Sequence, residues 1–213
     1  MPTDSLLLIG AGGHACAVFD AMRCADPESI VIVRDDNPQA SEKLFFGLRP
    51  RTPVEFKDDE PIVVHVAIGN NETRCILLSR AERSGRQALT IIHPRSTVSV
   101  YATIGSGAFI AAGAVIAPGA VVGRGAIINH GAIVDHDCQV GDCAHVAPNA
   151  TLGGGVQIGA GVLIGAGAVI LPGCVVGDGG IVGAGAVVLH DVGAKTRVAG
   201  NPARLLPDYA KHL

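Results

Sequence analysis

Residues 110–140 read IAAGAVIAPGAVVGRGAIINHGAIVDHDCQV, and this stretch decides the fold. An aliphatic residue returns at every sixth position from Ile110 to Val140, and an alanine or cysteine stands two positions before each of them. The same spacing of aliphatic residues extends from Val98 to Val188 without an insertion. A six-residue period built from short side chains is typical of a parallel β-helix of hexapeptide repeats, and we predict that fold for this part of the chain.

The predicted geometry places each repeated aliphatic side chain inside the coil. Three hexapeptides form one triangular coil of about 18 residues, so the repeats from Val98 to Val188 make roughly five coils. Glycine is expected at the tight corners, where a positive φ costs it least. The prism that results has flat exposed faces. Hexapeptide β-helices of this kind usually associate as trimers through such faces, in agreement with cyclic symmetry, and we expect a homotrimer.

Composition and charge narrow the function classes. The chain of 213 residues is 48% hydrophobic but only 3% aromatic, and 16 Lys and Arg against 19 Asp and Glu give a net charge of −3. This balance predicts no nucleic-acid partner. Polar residues and glycine interrupt every apolar run before about 18 residues, so no membrane span is expected. The start MPTDSLLLIG lacks the pattern of a signal peptide, which favours a cytoplasmic protein with reduced thiols.

The first ninety residues predict a small parallel sheet with crossover helices. Strands are expected at 6–9, 29–33, 62–68 and 89–92, and helices at 15–25 and 72–84. The expected fold class is therefore an α/β, half-Rossmann-like N-terminal domain followed by a parallel β-helix. The N-terminal part is only about half as long as a dinucleotide-binding fold, so NAD is a weaker expectation than a mononucleotide-linked ligand.

The turn from Gly10 to His14 joins the first strand to the first helix. Its backbone N–H groups and the helix N-terminus can hold a phosphate. Asp35 and Asp36 close the second strand, where an acidic side chain can reach a ribose or a base. The full G-x-G-x-x-G pattern is absent because Ala15 stands at the last glycine position. A simple turn without a ligand is therefore the alternative.

The segment Asp135-His136-Asp137 interrupts the repeat with polar residues. His136 lies two residues after the inward Val134, at a corner, so its imidazole should point out of the coil. A histidine with a pKa near working pH can serve as a general base, and a neighbouring carboxylate can orient it. The alternative is a solvated corner without a chemical role. The inward phase of Cys138 favours packing over covalent catalysis.

A metal site is a further alternative. None of the six cysteines forms a C-x-x-C pair, so a structural zinc site is not expected. A catalytic zinc needs three convergent imidazoles, for which the candidates are His130, His136 and His145. Their phases in the repeat differ, and we expect no metal. His65 stands in mid-strand among valines and is expected to be structural.

The two halves together resemble the bacterial nucleotide-sugar acetyltransferases that carry a short N-terminal domain on a left-handed β-helix. The matching segments span nearly the whole chain: IGAGGHA at 9–15, DD at 35–36, VAIGNNETR at 66–74, IIHPRSTVS at 91–99, AIVDHDCQVGDCAHVAPNATLGG at 132–154 and VAGNPARLL at 198–206. The chain is most similar to the UDP-4-amino-sugar N-acetyltransferases of the bacillosamine pathway and the GDP-perosamine N-acetyltransferases. Sialic acid O-acetyltransferases are related. The left hand of the β-helix is implied by this resemblance alone.

The resemblance implies a role for each motif residue. His136 matches the catalytic base, and Asp137 matches the acidic neighbour that raises its basicity. His145 matches a histidine near the thioester of acetyl-CoA, and Ala166 and Ala184 fall where backbone groups contact that cofactor. The nucleotide-sugar contacts fall on Gly12, Gly13, His14, Asp35, Asp36 and Gly69.

The implied reaction is acetyl transfer from acetyl-CoA to the amino group of a nucleotide-linked amino sugar, with a UDP-4-amino-4,6-dideoxy sugar as the expected acceptor. O-acetylation of a sialic-acid-type sugar is the alternative, and a zinc-dependent β-helix enzyme such as a carbonic anhydrase is a weaker one. The expected organisation is a nucleotide-sugar-binding domain at 1–92, an acetyltransferase β-helix at 93–200 and a tail at 201–213. A corner histidine on a convex prism has no pocket of its own, so active sites are expected between subunits.

Overall fold

The computed structural model describes residues 5–206, and the predicted tail therefore lies partly outside the described residues. The N-terminal part is a parallel sheet in the order β2-β1-β3-β4. Its strands are β1 Ser5–Ile9, β2 Ile30–Arg34, β3 Val63–Val66 and β4 Gln87–Ala88. Its helices are α1 Gly13–Ala25 and α2 Asn71–Arg83, and a 3₁₀ turn covers Pro38–Glu42.

The two helices cover opposite faces of this sheet because side chains alternate along β1. Leu6 and Leu8 pack in one buried cluster with α1. Leu7 and Ile9 pack in a second buried cluster with α2. A parallel strand that is buried on both faces needs apolar residues, and β1 has them from Leu6 to Ile9.

The rest of the described chain is a left-handed β-helix of about six coils, so the predicted fold class is confirmed. Its first face contains β5 Ile91–Ile92, β8 Phe109–Ile110, β11 Ile127–Ile128, β14 His145–Val146, β17 Leu163–Ile164, β20 Ile181–Val182, β22 Arg197–Ala199 and β23 Arg204–Leu205. Its second face contains β6 Thr97–Val98, β9 Val115–Ile116, β12 Ile133–Val134, β15 Thr151–Leu152, β18 Val169–Ile170 and β21 Val187–Val188. Its third face contains β7 Thr103–Ile104, β10 Val121–Val122, β13 Gln139–Val140, β16 Gln157–Ile158 and β19 Val175–Val176.

The interior of the prism is filled as the six-residue period predicts. The repeated aliphatic residues and the small residues two positions before them form one buried cluster along the axis. Cys138 belongs to this cluster, which confirms its predicted packing role, and Cys174 belongs to it as well. Each coil donates backbone hydrogen bonds to the next, so the short strands are stabilised by stacking rather than by length.

Two expectations need correction, one for the β-helix and one for the N-terminal sheet. The β-helix has about six coils rather than five, because two parallel strands outside residues 98–188 extend its first face. They are β5, which pairs with β8, and β22, which pairs with β20. The predicted strand 89–92 is not one strand of the N-terminal sheet. Gln87–Ala88 pair with β3, whereas Ile91–Ile92 pair with β8. The N–H of Leu89 still bonds to the N-terminal sheet, and that of Ile91 bonds to Ala108, so the chain changes sheets within two residues.

The N-terminal domain packs on the first face of the prism. Outward-facing Phe109 and Ile127 are each 1% exposed and belong to the same buried cluster as α1. His145 is the next outward residue on that ladder, one coil beyond Ile127. Among residues 5–206, no helix combines the length and apolar character needed to cross a membrane.

Candidate functional site

The corner after β12 presents His136 to solvent, as the repeat phase predicts. The side chain of His136 is 61% exposed. Its Nδ1 lies 2.9 Å from Oδ2 of Asp137. Because a carboxylate only accepts hydrogen bonds, Nδ1 carries the proton and donates to it. The other ring nitrogen, Nε2, is then left as a free proton acceptor in the neutral imidazole.

The backbone of this corner is left-handed at Asp137, and this conformation places the carboxylate beside the imidazole of His136. Asp137 has φ +59°, in the left-handed region, at a position where most corners of the prism carry glycine. Aspartate tolerates this conformation better than most non-glycine residues. Asp135 accepts the N–H of His136 at 2.7 Å and holds the turn. The corner therefore accepts a small backbone cost that positions a carboxylate beside the imidazole.

Glycine in the next coil leaves space for the imidazole. Gly154 lies above His136 in the corner stack, and a Cβ there would come within 2.5 Å of Nε2. Pro118 and Pro172 occupy the same corner one coil below His136 and one coil above Gly154. The corner thus accommodates a side chain at Pro118 and Pro172, whereas Gly154, which faces His136, has none.

The surroundings of His136 favour its protonated form. The hydrogen bond to Asp137 raises the pKa of His136, and the negative charge of Asp135 adds to the effect. A raised pKa makes Nε2 a stronger base, which suits proton abstraction near neutral pH.

A second group of histidines lies at the junction of the N-terminal domain with the first face. His14, near the start of α1, has its ring 5.4 Å from that of Phe109 and 6.3 Å from that of His145. Nε2 of His145 lies 3.1 Å from the side-chain amide nitrogen of Asn129 and accepts a hydrogen bond from it. Gly69 packs against His14, since a Cβ on Gly69 would lie 3.7 Å from that of His14.

These junction histidines are held in the neutral state. Burial, followed by the nearby His145, lowers the pKa of His14 to about 3. Burial, followed by the charge of Arg74, lowers the pKa of His145 to about 4. Nε2 of His14 is buried and has no hydrogen-bond partner in the described part of the chain. His65 is also buried, and its Nδ1 donates to the carbonyl of Leu89 at 2.8 Å, which confirms its structural role.

A cavity of about 570 Å³ opens at the carboxyl ends of β1 and β2. Its lining includes Gly12, Asp35, Lys43 and Phe45. Asp35 accepts the N–H of Ala11 at 2.7 Å and so fixes the glycine turn beside the cavity. Ligands of open α/β sheets bind at this end of the strands, and the volume suits a nucleotide.

The predicted nucleotide residues therefore fall into separate places. Gly12 and Asp35 line the cavity, and Gly13 begins α1 at its edge. The side chain of Asp36 does not line the cavity, because its Oδ1 accepts the N–H of Val54 at 2.8 Å. Gly10, with φ +113°, has no room for a side chain, since a Cβ would lie 2.8 Å from the carbonyl oxygen of Ala67. This close approach brings the glycine turn next to the loop after β3.

The predicted cofactor residues lie at another corner. Ala166 and Ala184 are exposed and stack one coil apart at the corner between the first and second faces. His136 occupies the corner between the second and third faces, which lies opposite the first face and its His145. One chain thus separates the predicted base from the predicted nucleotide and thioester residues by the width of the prism.

Comparison with known proteins finds a matching family for the N-terminal domain and another for the β-helix. Residues 5–81 match the PglD N-terminal domain family, and residues 101–136, 119–154 and 155–190 match the bacterial transferase hexapeptide (six repeats) family. A structure of a histidine-to-alanine mutant of GDP-perosamine N-acetyl transferase from Caulobacter crescentus, with CoA and GDP-perosamine, is 33% identical. It aligns over 96% of this chain and 97% of its own, with a TM-score of 0.87.

This chain belongs to the bacterial nucleotide-sugar acetyltransferases of the left-handed β-helix class.

Two further relatives of this acetyltransferase family agree with the assignment. The acetyltransferase domain of PglB from Neisseria gonorrhoeae FA1090, in complex with acetyl coenzyme A, is 35% identical over 95% of this chain and 99% of its own, with a TM-score of 0.88. The UDP-N-acetylbacillosamine N-acetyltransferase of Bacillus subtilis (strain 168) is 34% identical over 106 residues. That match spans 48% of this chain and 49% of the relative, about half of each. The predicted enzyme class, acetyl-CoA-dependent sugar N-acetyltransferase, is that of this family.

The candidate zinc ligands of the sequence do not come together within the acetyltransferase chain. Within 5–206, the group of three potential ligands whose atoms lie within 4.8 Å of one another is Asp20, Cys24 and His93, not the three β-helix histidines. Nδ1 of His93 accepts the N–H of Arg95 at 3.0 Å, so Nε2 carries the proton in the neutral ring. That nitrogen lies 4.0 Å from Oδ2 of Asp20.

Sequence reasoning missed two residues that the structure places at the domain junction. Arg74 and Asn71 bond to both the N-terminal domain and the β-helix. A signal was present, because Arg74 shares one helical face with Leu77, Leu78 and Ala81, which are buried. An arginine on the apolar face of a helix indicates a buried polar network.

Proposed function

We propose that this protein transfers the acetyl group of acetyl-CoA to the amino group of a nucleotide-linked amino sugar, with a UDP-4-amino-4,6-dideoxy sugar as the preferred acceptor. The observation that carries the proposal is the exposed His136–Asp137 pair, whose Nε2 is free to accept a proton. Relatives that act on or bind such sugars, and the nucleotide-sized cavity beside Asp35, support the acceptor class.

The residues have distinct tasks in this proposal. Acetyl-CoA supplies an activated thioester. The amine nitrogen of the sugar bonds to the acetyl carbon, and Nε2 of His136 takes the proton that the nitrogen loses. The C–S bond of the thioester then breaks, and the imidazolium, stabilised by Asp137, returns that proton to the departing CoA sulfur. His145, neutral and half-buried, offers a hydrogen-bonding group to the thioester. Ala166 and Ala184 leave the backbone of their corner accessible for the cofactor, because their side chains are small and the corner is exposed.

The nucleotide sugar is held by the N-terminal domain. Gly12 and Gly13 offer backbone N–H groups at the start of α1, which no side chain of residues 5–206 caps, and these groups suit a phosphate. Asp35 lines the cavity that receives the nucleoside. His14 and Gly69 lie at the junction, where they would contact the sugar. Asp36 supports the site through Val54 rather than from the cavity wall.

A complete site requires a second copy of the chain. His136 lies at the corner opposite the face that carries the N-terminal domain, so the base of one subunit must serve the sugar bound by its neighbour. The second face is suited to the contact. Its outward residues are Thr97, Val115, Ile133, Thr151, Val169 and Val187, whereas the third face presents two glutamines. A homotrimer joined through the second face would bring the corner of His136 towards the corner of Ala166 in the next subunit.

Turnover of acetyl-CoA, followed as release of free thiol, tests the activity. The acceptors are UDP-4-amino-4,6-dideoxy sugars, GDP-perosamine and free sialic acid, each with wild type and His136→Ala. Turnover on a nucleotide amino sugar that is lost in the variant is the expected result. Turnover on sialic acid alone would replace the proposal with O-acetylation.

Subunit mixing tests the shared site. His136→Ala and His145→Ala are each expected to be inactive as pure proteins. When the two are co-expressed, about a quarter of the subunit boundaries in random trimers combine an intact His136 with an intact His145, so about a quarter of the wild-type activity should return. Mixed trimers without activity would show that both residues must come from one chain.

A further inference from the structure

Arg74 is a buried cation that reaches two coils of the β-helix. Its side chain belongs to α2, yet the residue is only 1% exposed. Nε donates to the carbonyl of Gly125 at 2.7 Å, and Nη2 donates to that of Cys143 at 2.7 Å. These two acceptors are 18 residues apart in sequence, so they occupy the same corner in successive coils.

The same guanidinium holds the loop after β3. Nη1 donates to the carbonyl of Ile68 at 2.9 Å and to that of Gly69 at 3.0 Å. Gly69 packs directly against His14. One planar group thus connects the loop beside His14 with the coil that leads into His145.

Asn71 extends the network by one more coil. Its Oδ1 accepts Nη2 of Arg74 at 2.8 Å, and its Nδ2 donates to the carbonyls of Gly161 and Val162 at 3.0 and 3.1 Å. Gly161 follows Cys143 by 18 residues, so the N-terminal domain is bonded to three successive coils at this corner.

The network contains no counter-charge for the arginine. Among residues 5–206 the acceptors of Arg74 are backbone carbonyls and one side-chain amide, whereas buried Arg34 pairs with the carboxylate of Glu60. A buried cation without an anion is costly, and burial lowers the pKa of Arg74 to about 10. Its fork geometry satisfies acceptors in several directions, which a single ammonium group or an apolar side chain cannot do.

We propose that Arg74, together with Asn71, is a positioning residue that fixes the loop carrying Gly69 and the adjacent His14 in register with His145, and so sets the sugar of the bound substrate against the thioester. This inference rests on the proposed function for the identity of the ligands. The docking itself stands on the hydrogen bonds alone.

The electrostatic effect of Arg74 agrees with this placement. After burial, its positive charge contributes to the lowered pKa of His145 and, with the neighbouring histidines, to that of His14. The arginine therefore both aligns the junction and helps to keep its histidines neutral.

Steady-state kinetics separate positioning from a general structural role. Arg74→Met is expected to raise the KM for the nucleotide sugar at least about tenfold and to lower kcat. The KM for acetyl-CoA should stay within about twofold, because Ala166 and Ala184 lie further along the prism. Arg74→Lys should restore little, since one ammonium cannot span the carbonyls on both sides of the junction. Asn71→Ala should raise the KM for the nucleotide sugar and lower kcat by a smaller factor. This second variant keeps the test valid if the Arg74 variants do not fold.

The matched control is Arg83→Met, on the same helix but exposed, with a side chain that among residues 5–206 bonds only within α2. It should leave both KM values and kcat unchanged. If Arg74→Met and Asn71→Ala lower the melting temperature while the KM for the nucleotide sugar and kcat stay at wild-type values, the residues are structural only and the proposal is wrong. A parallel rise in both KM values would also overturn it.

Hydrogen exchange tests the docking without any substrate. In Arg74→Met and in Asn71→Ala, amides of 66–72 and 142–147 are expected to exchange at least about tenfold faster, whereas those of β1 stay within about twofold of wild type. If the wild type acetylates no acceptor but this pattern appears, the proposed function fails and the docking role stands. Unchanged exchange in both variants would overturn the docking role whatever the activity.

Discussion

The corner of His136 and the junction of His14 with His145 use the same side chain for opposite purposes. At the corner, the imidazole is exposed and bonded to a carboxylate, which raises its pKa. At the junction, burial and a nearby cation lower the pKa of each histidine to about 3 or 4. The comparison shows that a histidine's chemistry is set by what surrounds it. The exposed one is prepared to accept a proton, and the buried ones are kept neutral to accept or donate hydrogen bonds.

The largest expected effect is on the exposed side of this comparison. His136→Asn removes the base, and the kcat for acetyl transfer should fall about 1,000-fold, since a positioned general base contributes roughly 10²–10⁴. Both KM values should change little, because the contribution of a general base is made mainly in the transition state rather than in substrate binding. The melting temperature should equal that of wild type because the side chain is exposed. A variant that keeps its kcat would remove His136 from the mechanism.

Asp137→Asn tests whether the carboxylate tunes the base. Asparagine also tolerates the left-handed conformation, so the backbone should be preserved. We expect kcat to fall between about 10-fold and 100-fold. Activity requires neutral His136 and is lost as pH falls through its pKa. Removal of the carboxylate lowers that pKa, so the acid limb of kcat/KM should move to lower pH. An acid limb that moves to higher pH, or does not move, would show that Asp137 is not the residue that raises the pKa.

Gly154→Ala sharpens the comparison by moving the exposed imidazole without changing its chemistry. The added methyl group would press on Nε2 of His136, which can rotate into solvent, so the fold should not suffer. We expect about a tenfold loss of kcat from the displaced base. The melting temperature, measured by calorimetry on the same preparation, should be unchanged. A stable variant with wild-type kcat would show that the imidazole need not occupy the observed position.

The smallest effect concerns stability on the buried side. Unfolded histidine has a pKa near 6.5, whereas folded His145 titrates at about 4, so between these values the unfolded chain binds a proton that the folded chain refuses. Stability should therefore fall as pH drops from 6.5 towards 4. His145→Gln should reduce this slope by up to about 1 kcal/mol per pH unit. Urea unfolding at fixed protein concentration, in steps from pH 7.5 to 4.5, measures it. His136→Gln is the matched control and should leave the slope below about pH 6 as it is in wild type, because a histidine with a raised folded pKa is largely protonated there in both the folded and the unfolded state.

Much of the fold was accessible from the sequence because the repeat is local and regular. The six-residue period identified the inward residues, and the phase of His136 placed it at an exposed corner. The sequence also indicates that His136 and His145 lie on opposite sides of the prism, because they are nine residues apart and one coil contains about 18. The prediction of one strand at 89–92 was wrong because nothing in the segment Leu-Thr-Ile-Ile indicates which of two sheets it joins.

By itself, the sequence determined the β-helix, the sheet with its two helices, and the motifs that bear the chemistry, because contacts between neighbouring repeats and turns impose a period on the chain. Only the tertiary structure decided how the N-terminal domain sits on the first face, which histidines become buried there, and that Arg74 bonds to Gly125 and Cys143. These contacts join residues 51 and 69 positions apart. They depend on how the surface of the N-terminal domain fits the β-helix, and such a fit produces no periodic pattern in the sequence.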